Sequence, residues 1–394
     1  MRMALPVNGE AHRRCRVAFV LPGLHRINRG AEVALEQIAR HLARRPGWDV
    51  TVIGAGRARA AEPYRFFRAP CVHRKWMPPP PPIPGLRDQY MLEELTFLPS
   101  LAFRYHPQAY DLTVTCGYPY TNWLLTGRRH RRGRPAHVYI TQNGDWPAYE
   151  NKREFRYFRC DGIVCTNPQY YRRVGDRWPA TLIPNGVDPN QFAPGPAERS
   201  RLELPRDAPI ALMVSALHPS KRVIEGIRAV KRVPGLHLVV AGDGPMRAQV
   251  QQVGKSELKQ RFHWMTLPRE WMPALYRSAD LFLHMSLDEP SANAYIEALA
   301  TGLPIVTHDR EVTRWTLEET GILVDTTQRA LVASAIEKGL ERNSEAEVQR
   351  RRELVERRFT WEAIADRYAT FFEHVRQTHT GADKPTHVGA GHDE

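Results

Sequence analysis

Hydrophobic positions fall into short runs that alternate with helix-period segments. "RVAFVLPGL" (Arg16 to Leu24) is a continuous apolar run closed by Pro-Gly, the pattern of a strand buried on both faces. In the segment after it, Val33, Leu35, Ile38 and Leu42 recur at helical spacing, and "WDVTVIGAG" is the next strand. This β-loop-α-β order predicts a Rossmann-like unit. "YDLTVTCG", "AHVYITQNG", "DGIVCTNP" and "ATLIPNGVD" are further short strands ending in turn residues. "LEELTFLPSLAFRY" has a helical pattern with a break expected at Pro99. "MPPPPPIPG" excludes helix and central strand, because proline lacks an N–H and has a locked φ.

The alternation stops over Pro189 to Pro209, which is rich in Pro and Arg, and then restarts. "IALMVSALH", "LHLVVAGDGP", "DLFLHMS" and "LPIVTHD" read as strands, with helices "VIEGIRAVKRV", "MPALYRSA" and "NAYIEALATG" between them. Near the C-terminus, Trp361, Ile364, Tyr368, Phe371 and Phe372 line one side of a helix. The expected organisation is a leader over 1–14, a Rossmann-like N-terminal domain over 15–188 and a linker over 189–208. A second Rossmann-like domain follows over 209–358, then a helix over 359–378 and a polar, glycine-rich tail over 379–394. A chain of 394 residues exceeds one ordinary core and suits two domains.

Charge narrows the partners. The net charge is +13, which suits anionic substrates such as nucleotide sugars, or an anionic surface. The densest basic run is "GRRHRRGRP" (Gly127 to Pro135), read first as a solvated loop and second as a lipid-headgroup patch. No zinc-finger spacing or aromatic RNP-like strand points to nucleic acid. The five cysteines have no C-x-x-C spacing, so neither a disulfide framework nor a zinc site is expected. With no signal-peptide h-region and no apolar run of spanning length, a cytoplasmic location is expected, with a peripheral membrane contact left open.

The chemistry concentrates in "SLDEPSANAYIEALATGLPIV" (Ser286 to Val306). Glu289 falls at a helix entrance and Glu297 in the apolar helix interior, eight residues on, which is about 12 Å along a helix axis. Glycosidase carboxyl pairs lie at most about 9.5 Å apart, so the spacing suits two grips on one elongated polyhydroxyl ligand. The helix entrance between them favours a phosphate. Lys221 and Arg222 follow a strand at another helix start and add two cations for that phosphate. No G-x-G-x-x-G or Walker motif is present.

These segments, in this order, resemble the family-4 retaining glycosyltransferases of the GT-B fold. The resemblance runs from Val17 to Arg376 through "RGAE", "IPNGVD" with Phe192, "AGDGP" and the Glu-x7-Glu block. It implies an α/β GT-B architecture: two Rossmann-like domains facing a central cleft, with a C-terminal helix returning to the N-terminal domain. It implies a ribose-binding role for Glu297, donor-sugar contacts for Glu289, diphosphate binding for Lys221 and a backbone approach at Gly30. Asn143 stands where the family often has a donor-facing histidine. Ser291 and Ala292 replace the family's Phe-Gly and, with Asn293, are assigned to the donor. Arg29 replaces the first glycine of the Gly-Gly pair, and Ala216 replaces the diphosphate arginine, a charge that Arg222 would restore.

The implied activity is metal-independent, retaining transfer from a nucleotide-diphosphate sugar, with uridine as base, to an acceptor hydroxyl. The acceptor is a glycan, a lipid-linked sugar or a small molecule, with Asp145 and Trp146 as its contacts. No cofactor is expected beyond the co-substrate. A GT-B-shaped epimerase, phosphorylase-like enzyme or non-catalytic sensor is the competing reading. A peripheral binder of anionic membrane, resting on the basic run and on Trp76-Met77, is a third reading, compatible with the transferase if its acceptor is a lipid.

Overall fold

The computed structural model describes residues 14–80, 86, 88–127, 133–142, 157–289 and 293–381. The chain divides into two compact units. The first comprises residues 1–165, 173–181 and 365–394, and the second 166–172 and 182–364.

Unit 1 is built on seven strands: β1 (Cys15–Val20), β2 (Trp48–Gly54), β3 (Arg65–Arg68), β4 (Leu112–Thr115), β5 (Ala136–Ile140), β6 (Gly162–Cys165) and β7 (Ala180–Leu182). Their order is β3-β2-β1-β4-β5-β6-β7, and the pairs from β3 through β6 are parallel. The helices here are α1 (Gly30–Ala43), α2 (Gln89–Arg104) and α3 (Tyr120–Thr126), while α4 (Pro168–Val174) falls mostly in unit 2. Strand residues Val17–Val20 form a continuous apolar run and are fully buried, as are Leu112–Thr115, whose two threonine hydroxyls are satisfied by His137 and the Val20 carbonyl.

The expected break at Pro99 does not occur: α2 runs unbroken from Gln89 to Arg104. Pro99 lies on the exposed side of the helix, where the carbonyl left without a donor can be solvated. Asp88 caps the helix by accepting from Met91 N at 2.9 Å.

Unit 2 repeats the plan with six strands: β8 (Ile210–Val214), β9 (His237–Ala241), β10 (Phe262–Met265), β11 (Leu281–His284), β12 (Ile305–His308) and β13 (Gly321–Val324). The order is β10-β9-β8-β11-β12-β13, all parallel. Helices α5 (Val223–Val230), α6 (Arg247–Leu258), α7 (Met272–Arg277), α8 (Asn293–Ala300), α9 (Glu311–Leu317), α10 (Arg329–Glu341) and α11 (Glu345–Arg358) accompany them. One core lies on each face of the sheet, one holding Tyr276, Tyr295 and Phe282, the other Met213, Ile227 and Leu283. In both sheets the order reverses direction beside the first strand, between β1 and β4 and between β8 and β11. Open α/β sheets bind ligands at such points, beyond the carboxyl ends of the strands.

The segment 189–208, expected as a linker, instead packs as part of unit 2. Phe192, Leu202 and Leu204 join its core. Arg199 donates to the carbonyls of Ser278, Arg206 and Ala208 and to Asp280, which satisfies a loop poor in regular structure. Its Pro and Arg content disguises this, because three apolar anchors suffice to seat it.

The last helix, α12, spans Trp361–Gly381 and so takes in the start of the expected tail. His379 donates toward Asp161 at 3.3 Å, and Arg134 holds the same carboxylate with two hydrogen bonds at 2.6 and 2.8 Å. Burial alone would raise the Asp161 carboxyl, but His379 and Arg134 hold it far below the usual carboxylate range. The hydrogen bond to Asp161 in turn raises His379.

A raised histidine contributes stability that is complete below its unfolded value and fades as pH rises through its folded value. The His379→Ala variant is therefore expected to unfold earlier than the parent at pH 6, with a smaller difference at pH 9; thermal unfolding at the two pH values checks this.

Candidate active site at the switch point of the second sheet

After β8 the chain forms a short loop and a 3-10 turn, Pro219–Lys221. Arg222 follows in the left-handed region (φ 51°) and begins α5. The loop is laced to the "AGDGP" turn after β9. Leu217 N donates to Asp243 O at 2.9 Å, and Met246 N donates to Leu217 O at 3.0 Å. Gly242 and Gly244 have φ of 148° and 159°, and a Cβ would meet Ser215 O at 2.0 Å and Leu217 O at 2.6 Å. Both glycines are thus needed for the two strand exits to touch. They fix the base from which Lys221 extends.

Lys221 Nζ donates to Glu289 Oε2, across from the loop that follows β11. His284, the last residue of β11, approaches the same oxygen at 3.5 Å through Nε2. Its Nδ1 is 2.8 Å from Tyr295 Oη, which lies 2.8 Å from Thr307 Oγ1. A chain of polar groups therefore runs from Lys221 through Glu289, His284 and Tyr295 to β12. Burial alone would raise the Glu289 carboxyl, but the hydrogen bond and charge of His284, then Lys221, bring it down to about 2. Glu289 is thus held as a carboxylate across the whole neutral range.

Glu289 precedes the described part of α8, which begins at Asn293, so the two acids do not share one continuous helix in the described residues. Ser291 and Ala292 lie outside those residues, as do Asn143, Asp145 and Trp146. Asn293 Oδ1 accepts from Asn185 Nδ2 at 2.8 Å, which ties the "IPNGVD" segment to the start of α8. Gly30 is the first residue of α1 in unit 1, with Arg29 at its N-cap and no side-chain cap bond. Burial lowers the Arg29 guanidinium from its usual value.

Glu297 is buried, at 4% exposure, within an apolar stretch of α8. Its cost is offset by two donors. Tyr276 Oη donates to Oε2 at 2.9 Å, and Arg269 Nη2 reaches Oε1 at 2.5 Å. Burial and the neighbouring carboxylate push the Tyr276 phenol well above its ordinary range, so it stays a donor. Arg269 is 44% exposed on its side chain and lies over the Phe192 ring at 5.1 Å. Arg222 turns elsewhere, to Thr326, at 3.4 Å to both the hydroxyl and the carbonyl.

Unit 2 thus brings Lys221 and Glu289 into one cluster and gives Glu297 a separate cation. His284, Tyr276 and Arg269 complete these clusters and were not singled out by sequence. A histidine ending the strand that leads into the Glu289 loop was the available signal for the first. The other two reach Glu297 over 21 and 28 positions, which no local pattern reports.

Two parallel sheets with an acid-and-cation site at a switch point define a GT-B protein, in keeping with solved neighbours. Sucrose-phosphate synthase from Thermosynechococcus elongatus superposes with TM-score 0.75 at 20% identity, over 93% of this chain and 100% of that one. Anabaena HepE, solved with UDP and glucose, does so with TM-score 0.70 at 18% identity, over 91% and 100%. The chain belongs to the family-4 glycosyltransferases: the sequence model "Glycosyltransferase Family 4" matches residues 28–191, and "Glycosyl transferases group 1" matches 196–358. The lipopolysaccharide core biosynthesis glycosyltransferase LpsE of Rhizobium meliloti (strain 1021) is 30% identical over 241 residues, 58% of this chain and 68% of that protein.

Removing the Tyr276 hydroxyl leaves one oxygen of a buried carboxylate without its donor. Tyr276→Phe is expected to lower the unfolding free energy by about 1–3 kcal/mol; urea titration of parent and variant reads this directly.

Proposed function

We propose that this glycosyltransferase moves a hexosyl unit, with retention and without a metal, from a UDP-sugar to a hydroxyl of a glycan carried on a lipid. The observation that carries the reading is the Lys221–Glu289–His284 cluster at the switch point of the second sheet. Lys221 is there a cation suited to a phosphate, and it stands beside Glu289, a carboxylate ionised at neutral pH and suited to accept from sugar hydroxyls. HepE was solved with UDP and with UDP-glucose, which supports the donor class. Supporting the acceptor class are LpsE, named for lipopolysaccharide core biosynthesis, and an Escherichia coli galactosyltransferase named for a GlcNAc-diphosphoundecaprenol acceptor.

In this reading Glu297 accepts from the ribose hydroxyls and Glu289 from the donor sugar, with Asn293 beside them. Lys221 meets the diphosphate, and Gly30 lets backbone approach it. Asn143, Ser291, Ala292 and Arg222 keep their donor-side assignments, and Asp145 and Trp146 their acceptor-side ones.

The bond between the anomeric carbon and the diphosphate oxygen breaks, and the acceptor oxygen bonds to that carbon on the same face. The acceptor proton passes to the departing phosphate oxygen. Negative charge grows on the diphosphate, so a fixed ammonium there is the main source of rate. Because the donor distributes its contacts over Lys221, Glu289 and Glu297, each works by positioning as well as by charge.

Lys221→Ala and Glu297→Ala are each expected to lower kcat/KM by at least about 100-fold while unfolding stays cooperative. Turnover is followed by UDP release, the anomeric configuration of the product by proton NMR, and metal independence by adding EDTA. Turnover of either variant near that of the parent, or an inverted product, would overturn the reading.

A further inference from the structure

The first sheet has its own switch point, between β1 and β4, and the loop after β1 lies at it. That loop is held from below. His25 stands in the left-handed region (φ 59°), and its backbone N–H donates to Glu36 Oε1 at 2.7 Å. Its ring lies 2.8 Å from Tyr64 Oη through Nε2 and stacks on Phe66 at 4.1 Å. The residues that follow, Arg26 to Arg29, are therefore presented from a fixed base.

Arg26 and Arg74 both pair with Glu93, whose side chain has no exposed surface, Arg74 through Nε at 2.8 Å. One buried charge thus serves two cations. The terminal nitrogens of Arg74 have no partner among the described residues, and its guanidinium lies over the Tyr90 ring at 5.1 Å.

Arg29 and Glu32 stand three positions apart at the entrance of α1, near enough that each feels the other's charge. They do not pair. Arg29 is exposed and has no hydrogen bond or ion pair among the described residues. Glu32 is 4% exposed, and no other described residue donates to its carboxylate. That carboxylate is laid against Gly23 of the β1 loop, where a Cβ would overlap it. Burial and then the charge of Arg74 lower the Arg29 guanidinium, by more than Glu32 and Glu93 restore. Burial raises the Glu32 carboxyl. The arginine thus lacks an acceptor and the glutamate lacks a donor, side by side.

We infer that this switch point binds an anionic, hydroxyl-bearing sugar, with its phosphate or carboxylate oxygens on Arg29 and a neighbouring hydroxyl on Glu32. Such a molecule supplies both missing partners at once, and the charge of Arg74 adds to the attraction. The held loop sets the two groups before the ligand arrives, which lowers the cost of ordering them. Assigning the ligand to the acceptor rests on the transfer reaction proposed above. There the donor's hydroxyls are taken by Glu289 and Glu297, and its diphosphate has no hydroxyl to offer Glu32. The acceptor is accordingly a glycan that carries a phosphate or an acidic sugar.

The test is calorimetric titration of the full chain with glucose 6-phosphate, glucuronate, methyl glucoside and sulfate. The parent is expected to bind the two anionic sugars at least about tenfold more tightly than methyl glucoside. Arg29→Gln should weaken both roughly 10- to 100-fold, the size of a hydrogen bond to a charged group. It should keep the parent's thermal unfolding, because Arg29 is exposed and makes no cap bond. Glu32→Gln should lower the ratio of glucose 6-phosphate to sulfate affinity roughly fivefold, since sulfate has no hydroxyl to donate. Saturating UDP should leave the anionic sugars bound. The inference fails on any of three results: parent affinity no higher for the anionic sugars than for methyl glucoside, parent-like binding by Arg29→Gln, or displacement by UDP, which would put the anion on the donor side. UDP binding by the parent, titrated alone, tests the donor reading separately.

Discussion

A carboxylate cannot be buried alone. Removing its water costs several kcal/mol unless a cation or hydrogen-bond donors replace the hydration. Unit 2 buries two, Glu289 and Glu297, and supplies each with a cation from a different loop: Lys221 after β8 and Arg269 after β10. The sheet order sets the loop after β8, with Lys221, beside the loop after β11, with Glu289, because those two strands are neighbours. The glycine contacts of the "AGDGP" turn, the left-handed start of α5 and the packing of Tyr276 and Tyr295 all serve to hold these partners. The core around the site is therefore built to keep two charges where water is scarce.

Much of this organisation could be read along the chain. Strands buried on both faces are continuous apolar runs, and their ends carry Pro, Gly or polar residues, so β1, β2, β8, β9 and β11 were legible. Lys221, Glu289 and Glu297 were legible because each stands out against its neighbours within a few residues. Strands β10 and β13 were not, since they are the two edges of their sheet and most of their residues are only partly buried. Helices α10 and α11 escaped for a different reason: their charged faces dilute the apolar period.

The residues that sequence reading missed depend on long-range contact. Arg269 and Tyr276 are unremarkable in "LPREWMPALYRS", and only the fold brings them to Glu297. The segment 189–208 misled through composition, since its seating depends on Phe192, Leu202 and Leu204 rather than on a periodic pattern. Pro99 misled because a local rule ignores which side of a helix faces water. In each case the sequence displays the preference of a residue, while the outcome turns on what lies opposite.

The pairing of Lys221 with Glu289 gives the free site an internal lock. An anionic group arriving at Lys221 does not meet a vacant cation; it competes with a carboxylate already in place. On the proposed reading, a diphosphate that draws the ammonium away leaves Glu289 with His284 alone, and a hydroxyl of the sugar on the same molecule would take the place of the lost donor. A bare nucleotide would break the lock without closing it again. One ion pair would thus make recognition of the two halves of the donor interdependent, so that spent nucleotide is held less firmly than the loaded donor.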